Sequence, residues 1–417
     1  MIHPLALPAV IILVLIALKW AAQMALQQLN QRHVQAHSAS VPSAFKEIID
    51  APTYAKSVAY TLAKGRLSLL EVSYDTILLV VLLFSGVLPW GLRWFDDRFG
   101  VSAWSMGAFL FATGLALAVT SLPLDWYGQF RLEQRFGFNT STQKLWWLDR
   151  LKGLLLAILL GYPLLVLVLK LVEWTGGLWW LWAWAALLGF QLLLVVLAPV
   201  LIMPLFNKFT PLPEGTLRNR LVALASRTAF RARSIQVMDG SKRSRHSNAF
   251  FTGFGGFRKI VLFDTLVQQL HEPELESVLA HEIGHFKKKH IPKILLVSAL
   301  SSLAGFFVLS VLAKTPWFYR AFGFEPGTIA AALLLFGLLS SLVTFWFSPV
   351  AHWWSRRYEY QADHFAAAVM NEADSLIHAL RKLNEKNLSN LTPHPIYSAF
   401  YYSHPTLLER EKALRTH

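Results

Sequence analysis

The chain has no cysteine among its 417 residues. That excludes disulfide frameworks, thiolate metal sites, iron–sulfur clusters and a cysteine nucleophile, so any metal must be held by His, Asp or Glu. Charge is scarce as well. Asp, Glu, Lys and Arg make up 15% of the residues, where a soluble domain carries about 25%. Acidic groups are the scarcer half, 25 against 39 basic, and the net charge is +14. Internal repeats, low-complexity tracts and nucleic-acid-binding motifs are missing. The basic balance is therefore read as the cytoplasmic-loop bias of a membrane protein, with no nucleic acid as partner. What fills the gap is apolar: 54% of the residues, with 16 Trp, 29 Phe and a mean hydropathy of +0.42. Composition selects a polytopic membrane protein and excludes disordered, fibrous and ordinary cytosolic classes.

A spanning helix needs about 20 mainly apolar residues to cross about 30 Å of hydrocarbon. Seven runs qualify, near 4–27, 74–92, 103–123, 153–172, 178–203, 292–313 and 328–350. The first has no Lys or Arg ahead of it, since Lys19 and Arg32 come later. It reads as an anchor with the N-terminus outside, not as a cleaved signal. The outer loops then fall near 93–102, 173–177 and 314–327. They hold Arg93, Arg98, Lys314 and Arg320, with Lys170 close by, which is five of the 39 basic residues and leaves 34 on the inner side. An odd number of crossings and the charge bias agree. Trp90, Trp94, Trp104, Trp174, Trp179, Trp180 and Trp317 sit at the outer ends, as an interfacial belt requires. Pro163, Pro199 and Pro204 interrupt or end apolar runs, and the carbonyls they free must be satisfied by neighbours or water.

The inner segments carry the chemistry. His281-Glu282-Ile283-Gly284-His285 is an HExxH pattern. Residues i and i+4 share a helix face, so both imidazoles reach one ion and Glu282 projects near its open position. The context is helical: Pro273 suits a first turn, Glu274 and Glu276 suit the positive end of the dipole, and Leu275, Val278, Leu279 and Ile283 form an apolar stripe. A catalytic zinc takes three protein ligands. With no cysteine, the third is an acid or another histidine. Glu359 is the first choice, with His352, His364 and His404 as alternatives. Asp363, four residues after Glu359, shares its helix face and is placed to accept the outer N–H of a ligand histidine. The runs 292–313 and 328–350 form an antiparallel hairpin that returns His285 and Glu359 to one inner face, although they are 74 residues apart. Bound zinc lowers the pKa of water to about 7, and Glu282 would take the attacking water's proton and pass it to the leaving amine. His404 is either a second oxyanion donor or a histidine at a helix N-terminus. The segment Asn248–Gly255, with Phe251 and Gly253, is either an edge strand that binds an extended peptide by strand addition or a structural hairpin. Its glycines are no phosphate loop, because no Gly-Lys-Ser/Thr follows. The lysines Lys287 to Lys289 read as an inner helix flank, and the cluster Arg227 to Arg245 as charge bias or a site for anionic lipid headgroups or a substrate carboxylate.

Several stretches together resemble the type I CAAX prenyl proteases, integral-membrane zinc metallopeptidases of the gluzincin type. They are Arg32-His33-Val34 through Val41-Pro42 with Tyr60-Thr61, Ser247 to Gly255 with Ile260 to Leu266, HExxH combined with Glu359-Tyr360-Gln361-Ala362-Asp363, and Ser403-His404-Pro405. The resemblance covers nearly the whole chain. It implies His281, His285 and Glu359 as zinc ligands, Glu282 as catalytic base, Asp363 as support for a ligand histidine, and His404 and Arg410 beside the substrate. It implies one Zn2+ per chain and a peptide or protein substrate, lipidated or not. The implied fold is an all-α polytopic membrane protein of about seven transmembrane helices around an intramembrane chamber, with a small α+β zinc metallopeptidase domain on the cytoplasmic side. The expected organisation is 1–203 as N-terminal membrane region, 204–291 as zinc peptidase domain, 292–350 as transmembrane hairpin and 351–417 as the C-terminal part of the catalytic domain. A compact chain ending Arg415-Thr416-His417, without a retention signal, suggests a bacterial member in the inner membrane. The expected function is cleavage of membrane-associated or CAAX-type lipidated peptides at the cytoplasmic face. The alternatives are quality-control proteolysis of membrane proteins with the same chemistry, and a metal-regulated transporter, which the scarcity of ionisable residues inside the runs opposes.

Overall fold

The computed structural model describes residues 7–46, 49–230, 233–252 and 259–416. Among them, six helical segments are long and apolar enough to cross a membrane. One of these, Gln143–Phe206, has 64 residues and would reach about 96 Å if straight. It folds back at Gly176–Leu178, where Gly176 takes a φ of 55° that a side chain would resist, and its halves Tyr162–Thr175 and Trp179–Leu197 pack on each other. The described residues thus offer seven crossings.

The helices outrun the apolar stretches that signal them. The run at 4–27 becomes Leu7–Ala36, and the run at 328–350 becomes the first half of Ile329–Met370. The second run is divided: Ala51–Phe84 ends at Ser85, Gly86 turns at φ 78°, and Val87–Phe99 begins anew. Lipid dictates only where a helix must be apolar, not where it stops, so polar ends continue into the wall of a chamber or into the peptidase part. The prolines mark local rewinding. Wider π-type turns occupy Ala157–Gly161, just before Pro163, and Ala198–Ile202, around Pro199. Proline lacks an N–H and crowds the carbonyl four residues back, and a π turn relieves both defects.

The sheet is small, with strands β1 (Phe209–Pro211), β2 (Ser234–Met238), β3 (Ala249–Thr252) and β4 (Lys259–Phe263) in the order β1-β2-β4-β3. β2 and β4 are parallel, and the other two pairs are antiparallel. The central β4 buries Ile260, Val261 and Leu262 in succession, as a strand covered on both faces must. β3 lies at the edge, with Phe251 opposite Ile260.

Two large cores result. One lies among the membrane helices. The other joins Val34, Phe45 and Tyr54, from the stretch linking the first two spans, to Leu262, Leu279 and Ile283, and to Leu376 and Leu414 of the C-terminal helices. Tyr60 Oη donates to Glu133 Oε1 at 2.6 Å, and His246 Nε2 lies 3.4 Å from the other oxygen, which stitches membrane helices to the sheet region. Below them opens a cavity of about 800 Å³, bordered by Tyr60, Glu71, His246, Tyr402, His404 and Arg410. A second, of about 330 Å³, lies deeper among the helices and is bordered by Lys19, Asp75 and Ser341. Lys19 Nζ donates to Ser341 Oγ at 3.0 Å. Lys19, Glu71 and Asp75, which lie within the spans, thus border internal space, as their solvation demands.

Candidate metal centre

The helix Glu272–Lys287 starts at His271, whose N–H is accepted by Glu274 Oε2 at 2.7 Å, and has Pro273 in its first turn. The predicted stripe is realised: Leu275, Leu279 and Ile283 are buried in the peptidase core, with Val278 packed beside them. The opposite face meets the end of Ile329–Met370. A Cβ on Gly284 would stand 3.0 Å from Ala362 Cα and 3.1 Å from its carbonyl oxygen. Only glycine lets these backbones come so close, and the approach brings Glu359 against the two histidines.

His281 Nε2 and His285 Nε2 are 3.1 Å apart. Glu359 Oε2 is 3.5 Å from the first and Oε1 is 3.3 Å from the second. Among the described residues this is the only group of three His, Asp or Glu whose ligating atoms converge. Bonds of about 2.0–2.1 Å from a tetrahedral ion require ligand atoms about 3.3 Å apart, so the spacing fits. Glu359 Oε2 is buried without a hydrogen-bond partner, with the guanidinium Nη1 of Arg410 3.8 Å away, so a metal ion at the converging point would supply the close contact that the carboxylate lacks. The donor set, two imidazoles and a carboxylate, suits a divalent ion of zinc's type.

Asp363 holds the other side of His281. Its Oδ1 is 2.8 Å from Nδ1 of that ring, and its Oδ2 accepts from Arg410 Nε at 2.8 Å. Asp363 and Arg410 are 1% and 9% exposed. Burial alone would lower the His281 pKa, but the Asp363 and Glu359 carboxylates prevail and raise it to about 9. The pocket is built to hold positive charge there, by proton or by metal. Burial pushes the Glu282 carboxyl above the usual carboxylate range, and the neighbouring His281 and His285 oppose this in part. A raised carboxyl near an ion site holds a proton more readily, as a general base must.

The remaining predicted residues fall as follows. His404 exposes its ring to the large cavity, takes Ser403 Oγ on Nδ1 at 3.0 Å and turns Nε2 to within 3.5 Å of Glu359 Oε1. Burial lowers its pKa, so it stands neutral with an N–H to give. Arg410 borders the same cavity while clamped on Asp363. Asn248 stands just before β3, its Oδ1 accepting from the Ala249 N–H at 2.8 Å. The Phe251 ring packs edge-on against Phe230 and Phe286, leaving its backbone at the sheet edge. Gly253 lies outside the described residues. Of the alternative third ligands, His352 spends Nδ1 on the Phe400 carbonyl at 2.7 Å, and neither it nor His364 joins the converging group. The sequence reading passed over His290 and Gln361. His290 Nδ1 is 3.0 Å from His285 Nδ1, and its Nε2 is 3.0 Å from Gln361 Oε1. The one signal was position, five residues after His285 and two after Glu359.

Comparison with known proteins bears on the family. Residues 30–208 match the family description "CAAX prenyl protease N-terminal, five membrane helices", and residues 211–417 match peptidase family M48. The chain is 35% identical to CAAX prenyl protease 1 homolog of Arabidopsis thaliana, over 90% of each chain. It is 37% identical to CAAX prenyl protease 1 of Saccharomyces cerevisiae, over 90% of this chain and 88% of the other. With the Homo sapiens homolog the identity is 33%, over 93% and 91%. The crystal structure of S. mikatae Ste24p superposes with a TM-score of 0.93 at 33% identity, covering 99% of this chain and 100% of that one. The chain therefore belongs to the CAAX prenyl protease 1 family of M48 peptidases and is an integral-membrane metalloendopeptidase.

Proposed function

We propose that the chain binds one zinc ion through His281, His285 and Glu359 and cleaves peptides that carry a C-terminal lipidated cysteine motif of the CAAX type. The observation that carries this reading is the converging His281–His285–Glu359 set, with its orphaned carboxylate oxygen, beside a cavity that runs among membrane helices. The names of the relatives support the substrate class. A zinc ion held there supplies Lewis-acid polarisation of the scissile carbonyl and makes water a stronger acid. The chain's own residues do the rest. Glu282 takes the proton of the attacking water and returns it to the departing amine. Neutral His404 offers its Nε2 proton to the oxygen that gains charge. Asp363 holds the His281 tautomer, and Arg410 keeps Asp363 ionised and in place. The free edge of β3, with Asn248 and Phe251, pairs with extended substrate backbone.

We further propose the division 1–203, 204–291, 292–350 and 351–417, with the inner stretch around 34–58 lent to the peptidase core. The setting is a bacterial inner membrane with the N-terminus outside and the site on the cytoplasmic face, which the placement of 34 of 39 basic residues supports. Purified protein given a prenylated CAAX peptide should release the terminal tripeptide, and Glu282→Gln should lower kcat by about 10²–10⁴-fold. Equal cleavage by both proteins would overturn the mechanism. Equal rates on prenylated and unprenylated peptides would overturn the substrate class.

A further inference from the structure

Each histidine ligand has a second nitrogen whose proton decides whether the first is a lone pair. For His281 that nitrogen faces a carboxylate, so the answer is set. For His285 it faces another imidazole, His290, at 3.0 Å, and His290 in turn faces the Gln361 amide at 3.0 Å. A neutral imidazole carries one proton, so each link dictates the next. With the Gln361 oxygen toward the ring, His290 must donate from Nε2 and is left with an acceptor at Nδ1. His285 then donates from Nδ1 and presents a bare Nε2 to the ion. With the Gln361 nitrogen toward the ring, every step reverses, and His285 presents Nε2–H, which binds no metal. The structure has the oxygen there.

We propose that His290 and Gln361 are positioning residues that fix the ligand tautomer of His285, a neutral counterpart to the work of Asp363 on His281. The proposal rests on the reading of His285 as a metal ligand. The backbone is shaped for it. Lys289 takes a left-handed φ of 56° between two helices, and the turn there sets His290 beside His285. His290 is 1% exposed, and its ring stacks on Tyr358 at 4.1 Å and 11°. Its plane is therefore fixed, and within that plane Nδ1 meets His285 and Nε2 meets Gln361. Gln361 stands on the same helix as Glu359, so the segment that supplies the third ligand also governs the second.

The test is metal affinity of the full chain in detergent, by chelator competition, together with the visible spectrum of the cobalt-substituted protein. His290→Phe keeps the stack on Tyr358 and removes the acceptor. Gln361→Leu removes the terminal acceptor, while Gln361→Glu keeps an acceptor that cannot donate. The first two should weaken metal binding by about 10–100-fold, with a changed cobalt spectrum, and Gln361→Glu should bind at least as tightly as the parent. Should His290→Phe not fold, Gln361→Leu and its rescue by Gln361→Glu decide alone. Affinities of His290→Phe or Gln361→Leu within about twofold of the parent would overturn the proposal. His285→Phe separates the two readings: if it too retains full affinity, the assignment of the metal ligands itself falls.

Discussion

At the scale of single residues, the centre is a contest among charges removed from water. Asp363 answers both His281 and Arg410, and neither partner is exposed enough to be rescued by solvent. Removing one side of such a buried pair costs about 3–5 kcal/mol. Arg410→Met should therefore lower the melting temperature of the protein in detergent by several degrees even when metal is present. An unchanged melt would mean that Asp363 is satisfied without it. His281 gives a pH signature. Its pKa in the metal-free fold is raised to about 9, against about 6.5 when unfolded. The raised group stabilises the fold fully below about pH 6.5, and that contribution is lost as pH rises through about 9. Chelated protein should thus melt lower at pH 9.5 than at pH 6. Metal-loaded protein, in which the ion replaces that proton, should be nearly level across the same window. Parallel curves for the two forms would refute the argument.

At the scale of elements, the decisive contact is that of Glu272–Lys287 with the far half of Ile329–Met370. Gly284→Ala drives a methyl group into the Ala362 backbone, and overpacking of this kind costs about 1–3 kcal/mol. The variant should lose bound metal on dialysis against a mild chelator. Gly153→Ala meets nothing within 4 Å, and in a helix interior alanine is favoured by about 0.5–1 kcal/mol, so that variant should melt at or slightly above the parent. The same contact shows how far the sequence could be read. His281, His285 and Glu359 were legible because i, i+4 spacing and a membrane hairpin are both geometric rules. His290 was not, because its return to His285 depends on one left-handed lysine, and five-residue spacing on a straight helix points away. Gly284 was read only as a letter of the motif, since nothing local reveals an approaching backbone. The strands of three to five residues are too short for alternation to declare itself, and helix ends beyond the lipid carry no hydropathy signal.

At the scale of the whole molecule, orientation is the open consequence of charge placement. The chain lacks cysteine, so single cysteines report their own side of the membrane. Lys288 and Lys314 are exposed and flank the helix His290–Leu312. Lys314→Cys should react with an impermeant maleimide added to intact cells, and Lys288→Cys only after permeabilisation. The opposite pattern would invert the topology.

The hairpin has one more implication. Its two legs meet at the ion site, and the peptide link between them, from Ala313 to Thr328, lies at the other end. That link supplies no catalytic group. A gene severed there would yield two polypeptides, each with part of the coordination set. Complementation between the two fragments should then depend on the cation as a fastener, so that its loss is registered as dissociation of subunits as well as loss of turnover.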